Sequence, residues 1–163
     1  MDEGRGLARN RAGPANQVEM SIPSDLVFER VVRAAAQEIG RQMGFTEEKL
    51  ADLTLAVSEA VTNAIEHGNR LQQEVHVGII FSLEAEHLVV RVIDQGEWSG
   101  PPPVRTYGIT EEAIEQGELR GLGLYLIHQL VDRAEFSSSE EGNVFTMWLH
   151  INPREEQTRR PIP

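Results

Sequence analysis

Val18, Met20 and Ile22 alternate with polar neighbours, a period of two that predicts a short first strand. The period then changes. Phe28, Val31, Val32, Ala35, Ile39 and Met43 recur at helical spacing and predict one apolar stripe. Ser24 is placed to cap that helix, Asp25 lies at its positive end, and Gly44 ends it. Thr46 is the next N-cap, with Glu47 and Glu48 in the first turn. Leu50, Leu53, Val57, Val61, Ala64 and Ile65 then predict a second core-facing helix, closed by His67-Gly68-Asn69.

Two apolar runs, Val75 to Leu83 and Leu88 to Ile93, read as an antiparallel hairpin turning at EAEH. Residues 95–120 carry three consecutive prolines, several glycines and many acids, which predicts a long functional loop or lid. A helix resumes from Leu122 to Val131. Strands follow near Ala134–Ser138 and Val144–Ile151, joined by the turn EEGN. Residues 1–16 and 152–163 are polar and aperiodic, so they read as tails around one domain spanning 17–151. This order predicts an α+β fold, an α/β sandwich with helices on one face of a mostly antiparallel sheet.

Composition narrows the function. There is no cysteine, which removes disulfides, zinc thiolate sites and cysteine nucleophiles. Of the 163 residues, those from 17 to 151 hold nine cations against 22 acids, so direct nucleic-acid binding is not expected. The one lysine, Lys49, follows two glutamates rather than glycines and excludes a Walker A loop. The N-terminal residues carry no apolar signal stretch, and no apolar run approaches bilayer length. The expectation is a cytoplasmic protein with no membrane partner.

Three constellations carry candidate chemistry. Glu59 and Asn63 lie four residues apart on the second helix, opposite its apolar stripe, with Asp52 and Glu66 on the same face. An amide oxygen beside a carboxylate suits a magnesium ion bearing phosphates. The carboxylate alternatively accepts a proton from an attacking hydroxyl, and the plain alternative to both is a solvated helix face. Asp94-Gln95-Gly96 follows the strand LVVRVI, where a carboxylate can accept from an exocyclic amine while glycine lets the backbone approach a flat ring. An ordinary strand-ending turn is the other reading. Arg120-Gly121-Leu122-Gly123 opens the last helix, and free N–H groups there can hold phosphate oxygens. Arg120 and Arg105 are the cations available to a triphosphate, although both have acidic neighbours.

Together and in this order the segments resemble the GHKL ATPases. LAVSEAVTNAIEHGN is similar to their N box, VIDQGE to the G1 box, RGLGLYLI to the G2 box, and GNVFTMWL to the closing strand. The wording SEAVTNA followed by His-Gly is most similar to the bacterial anti-sigma factor serine/threonine kinases. The resemblance implies a Bergerat ATP-binding fold over residues 17–151. It implies Asn63 as ligand of Mg2+, Glu59 as general base toward a serine or threonine hydroxyl, and Asp94 as acceptor from the adenine amine. Gly96 would admit the base, Arg120, Gly121, Leu122 and Gly123 would hold phosphates, and Thr146 would support the adenine site. The cofactors implied are ATP and Mg2+. The partners implied are a sigma factor and a small anti-sigma factor antagonist that is phosphorylated, and the branch commonly forms homodimers.

Two other readings are weighed. A histidine kinase catalytic domain needs a dimerising helical hairpin with a phospho-accepting histidine, which residues 1–16 do not provide. A regulatory module that binds ATP or a partner without transferring phosphate differs in needing no base, so Glu59 is the residue that separates it from a kinase.

Overall fold

The computed structural model describes residues 16–97, Gly100 and 119–151. Side chains of 119–122, residues 1–15 and 152–163 of the predicted tails, and most of the predicted lid, Arg105 included, lie outside the described residues.

The first strand forms as β1 (Gln17–Pro23). The helix after it starts later than expected and with a different cap. Asp25 Oδ1 accepts from Val27 N at 3.0 Å and opens a single 3-10 turn, Leu26–Phe28. Helix α1 (Glu29–Gln42) continues from it. Ser24 is not the cap. It is fully buried and donates its hydroxyl proton to the Val75 carbonyl.

The core-facing line of α1 also differs from the predicted stripe. Val32, Ala36 and Gly40 are buried, whereas Phe28 and Val31 are 37% and 52% exposed. The periodicity of large apolar residues misplaced the line because the contact is made by small ones. At Gly40 a Cβ would lie 2.7 Å from a Leu50 methyl and 2.9 Å from a Leu53 methyl, so the helices meet backbone to side chain there. Gly44, at φ +81°, ends the segment as expected, since only glycine adopts that conformation without strain.

Helix α2 (Glu47–Asn63) begins as the sequence predicts, with Thr46 Oγ1 accepting from Lys49 N at 3.2 Å. It buries Leu50, Leu53, Val57 and Val61. Its last turn widens into a π-turn, Ala64–Gly68, where Asn69 N bonds back to Ala64 O at 2.8 Å. Such widened turns recur at functional sites.

Strands β2 (His76–Leu83) and β3 (His87–Asp94) make the predicted hairpin. After α3 (Leu119–Leu130), strands β4 (Arg133–Ser139) and β5 (Gly142–His150) make a second one. The sheet order is β1-β2-β3-β5-β4, and every pairing is antiparallel. Register puts Phe81 beside Val90, Val90 beside Met147, and Val92 beside Phe145. These side chains share one face and form a single core with Val32, Leu53, Val57, Ile65, Leu124 and Ile127 of the helices. The chain is therefore an α+β sandwich with its helices on one side of the sheet. Among the described residues, no helix is long and apolar enough to cross a membrane.

Gly40 sets how closely α1 approaches α2. Gly40→Val should lower stability by about 1–3 kcal/mol through overpacking against Leu50 and Leu53, read as a lower urea midpoint with an unchanged slope.

Candidate active site

The site lies where the end of α2, the start of α3 and the end of β3 converge. A pocket there is lined by Ala60, Asn63, Ala64, Val92, Asp94, Leu124, Phe136 and Phe145. Its apolar wall is the core itself. The Phe136 and Phe145 rings stack 4.3 Å apart across the β4–β5 pair and close one side.

Four residues separate Glu59 from Asn63, so the helix carries both side chains on the face opposite Leu53 and Val57. That face meets α3. A Cβ on Gly123 would come within 2.8 Å of Glu59 Oε2 and 3.7 Å of Asn63 Nδ2. Gly123 is thus the close-approach point that lets α3 cover both groups. Half-burial is the largest cause raising the proton affinity of Glu59 above that of an ordinary glutamate, with the charges of Glu66 and Glu29 adding to it. Glu29, on α1, is a buried acid that the sequence did not flag, and its nearest ion-pair partner is Arg33 Nε at 3.7 Å.

Asn63 Nδ2 is buried without a hydrogen-bond partner among the described residues. An unsatisfied amide in a pocket is costly unless something else enters. Together with a flanking carboxylate, this fits an oxygen-rich, metal-bearing ligand at that end.

At the other end, Asp94 is held from two sides. Its Oδ1 accepts from Gly96 N and from Asn143 Nδ2, both at 2.9 Å, and Asn143 Nδ2 also donates to Gly96 O at 2.8 Å. Both bonds fall on Oδ1, so among the described residues Oδ2 is the oxygen left to accept from a ligand amine. The glycines are steric requirements. A Cβ on Gly96 would lie 2.5 Å from Gly68 O, and one on Gly68 would strike the Asp94 carboxyl group.

Most sequence-chosen residues therefore gather: Glu59, Asn63 and Gly123 at one end, Asp94 and Gly96 at the other. Residues 120–122 lie in the first turn of α3, and the side chains of Arg120 and Leu122 are not described. One choice does not belong. Thr146 pairs with Arg91 and Glu135, which puts it on the sheet face away from the helices. The β5 residue at the site is Asn143, directly across from Asp94. Asp52 shares the polar line of α2 but sits roughly 10 Å further down its axis, in a groove with Thr46, Lys49 and Asp132. Asn143, Gly68 and Asn69 were missed because only strand register and the π-turn bring them in.

Residues 22–149 match the family described as the histidine kinase-like ATPase domain. The chain belongs to that family. The serine-protein kinase RsbW of Bacillus velezensis is 30% identical over 138 residues, covering 83% of this chain and 86% of that one. The RsbW of Bacillus subtilis is 28% identical over 141 residues, covering 85% and 88%. Within the GHKL ATPases the chain therefore belongs with the RsbW serine-protein kinases. The solved RsbU and RsbW domains of Rv1364c from Mycobacterium tuberculosis share its fold, with a TM-score of 0.59 at 22% identity over 84% of this chain and 33% of that one.

The set of the Asp94 side chain depends on the absence of a Cβ at Gly68. Gly68→Ala should displace the carboxylate and weaken ATP binding at least about tenfold, ~1.4 kcal/mol. Titration calorimetry checks the affinity, and an unchanged circular dichroism spectrum shows that the fold persists.

Proposed function

We propose that this chain is an anti-sigma factor serine/threonine kinase that binds Mg·ATP, sequesters a sigma factor and phosphorylates a small antagonist protein. One observation carries the reading: a half-buried carboxylate of raised proton affinity, Glu59, stands one helical turn before the unsatisfied amide of Asn63, which lines the pocket that ends at Asp94. A module that only held nucleotide or a partner would need no base there.

In this reading Asp94 accepts from the adenine amine through Oδ2, its other oxygen being fixed by Gly96 and Asn143. The floor of the base site is the glycine pair 68 and 96. Asn63 would hold Mg2+ through its amide oxygen. When bound, the metal neutralises phosphate charge during transfer. Glu59 takes the proton of the substrate hydroxyl as that oxygen bonds to the γ-phosphorus and the bond from phosphorus to the bridging oxygen of ADP breaks. Its raised proton affinity makes it a stronger base than an exposed glutamate.

Protein partners find a surface at the start of α1. Leu26, Val27, Phe28 and Val31 are exposed large apolar residues on consecutive turns, with exposed Arg30 and Arg33 between and beside them. In a body so acidic, this apolar and basic strip supports docking of another protein, whether sigma factor, antagonist or a second copy in a homodimer. Nucleic acid has no comparable basic footprint to meet among the described residues. A partner drawn from the transcription machinery goes with a cytoplasmic location.

Loss of Glu59 and loss of Asn63 should differ. Asn63→Ala should weaken Mg·ATP binding and phosphorylation together. Glu59→Ala should spare nucleotide binding and slow phosphorylation of the antagonist about 10²–10⁴-fold, measured with labelled ATP and purified antagonist. A Glu59→Ala enzyme working at the wild-type rate would falsify the base assignment.

Acid pH gives a second check. Glu59 must be ionised to accept a proton, so the rate should rise with pH through its raised pKa. Glu66→Gln removes one of the charges that raise it, and the acid limb of the rate profile should move to lower pH.

A further inference from the structure

Asn69 is 4% exposed, and its side-chain amide is engaged on both its oxygen and its nitrogen. Nδ2 donates to Ser24 Oγ at 2.9 Å and to His76 O at 3.1 Å. Oδ1 accepts from Gln95 N at 2.7 Å. Ser24 passes its own proton to Val75 O, so the network is closed on itself. The main chain of Asn69 is fixed too. Its N–H closes the π-turn on Ala64 O, and its carbonyl accepts from Gln72 N at 3.1 Å. Arg70 and Leu71 then follow at φ 51° and 58°, left-handed conformations that non-glycine residues hold only where the surroundings over-determine them.

The three consecutive residues of the base turn are thereby tied to two other elements and to one another. Asp94 is bound to Asn143 of β5, the Gln95 N–H to Asn69 behind the π-turn, and the Gly96 N–H to Asp94 itself. Without the Asn69 bond, the peptide between Asp94 and Gln95 loses its tie to the π-turn, and the set of the carboxylate rests on Asn143 and the Gly96 N–H alone. Glu59, Asn63 and Gly123 take no part in this network. An asparagine suits the position because one side chain must donate on one side and accept on the other; aspartate offers no donor, and alanine neither.

We propose that Asn69 is a positioning residue for base recognition: by holding the Gln95 N–H it fixes the Asp94–Gly96 turn, and so governs which nucleotide base is accepted while leaving the grip on the phosphates unchanged. The proposal rests on the reading of Asp94 as the acceptor from the adenine amine.

The test compares affinities for ATP, GTP and inorganic tripolyphosphate, each with Mg2+, by calorimetry on the full chain, with melting temperatures measured alongside. The wild type should prefer ATP to GTP. Ser24→Ala removes a buried hydrogen bond from the same network but leaves Gln95 bound, so it should lower the melting temperature and keep the wild-type preference. Asn69→Ala should lose about tenfold in ATP affinity, the scale of one well-made hydrogen bond. Its affinity for GTP and tripolyphosphate should hold, so the preference collapses. Loss of folded protein would weaken all three ligands alike and would not move the ratio. Gln95→Pro deletes the same hydrogen bond from its donor side and should reproduce the collapse, which keeps the test decisive if Asn69→Ala does not fold. A wild type without preference for ATP overturns the reading of Asp94 and this proposal with it. A wild type that prefers ATP, with Asn69→Ala or Gln95→Pro equally selective, overturns the role of Asn69 alone.

Discussion

Helix α2 buries Leu53, Val57 and Val61 on one side and turns Glu59 and Asn63 toward α3 on the other, and α3 can lie over both only because it carries a glycine at position 123. Any side chain at position 123 would meet the Glu59 carboxylate before the helices reached packing distance. The close approach does two things at once. It lets Leu124 and Ile127 into the core, and it partly desolvates the Glu59 carboxylate. The same contact thus supplies stability and reactivity. Glycine is usually discussed for its backbone freedom; at position 123 its small size is what matters.

Electrostatics around Glu59 follow from the same placement. Glu66 lies one π-turn further along the chain, and Glu29 reaches in from α1. Three acids beside an expected triphosphate are unfavourable unless a divalent cation accompanies it. Asn63 suits that need, because a neutral amide ligates without adding a further negative charge. An acidic body also repels a bare triphosphate more than one whose charge a divalent cation has partly cancelled.

The elements were largely legible in the sequence because hydrophobic period, Thr46 and Gly44 act locally. Both hairpins and all three helices fall within a few residues of their predicted bounds. What was not legible depends on contacts between elements. The buried line of α1 runs through Ala36 and Gly40, small residues that apolar periodicity undervalues. Ser24 looks like a cap beside a helix start, yet the 3-10 turn hands that role to Asp25 and sends Ser24 inward. At the site, residues within one motif were found readily, as with Glu59 and Asn63 or Asp94 and Gly96. Thr146 was the misplacement, since strand parity alone decides between it and Asn143, and parity is set by a register 49 residues away from Asp94.

The position of β3 in the sheet has a consequence for how the molecule fluctuates. Gly78–Leu83 of β2 pair with Leu88–Ile93, and β5 pairs with His87–Asp94, so β3 has partners on both sides over nearly its whole length. β1 and β4 are the outer strands and have one neighbour each. Opening begins where pairing is one-sided, and doubly paired central strands open last. Asp94 therefore hangs from the segment that stays folded when the edges fray. Glu59 and Asn63 are held from the helical layer instead. The two ends of the pocket are thus carried by different layers, Asp94 by the central strand and Asn63 by α2, and the π-turn is what ties one to the other.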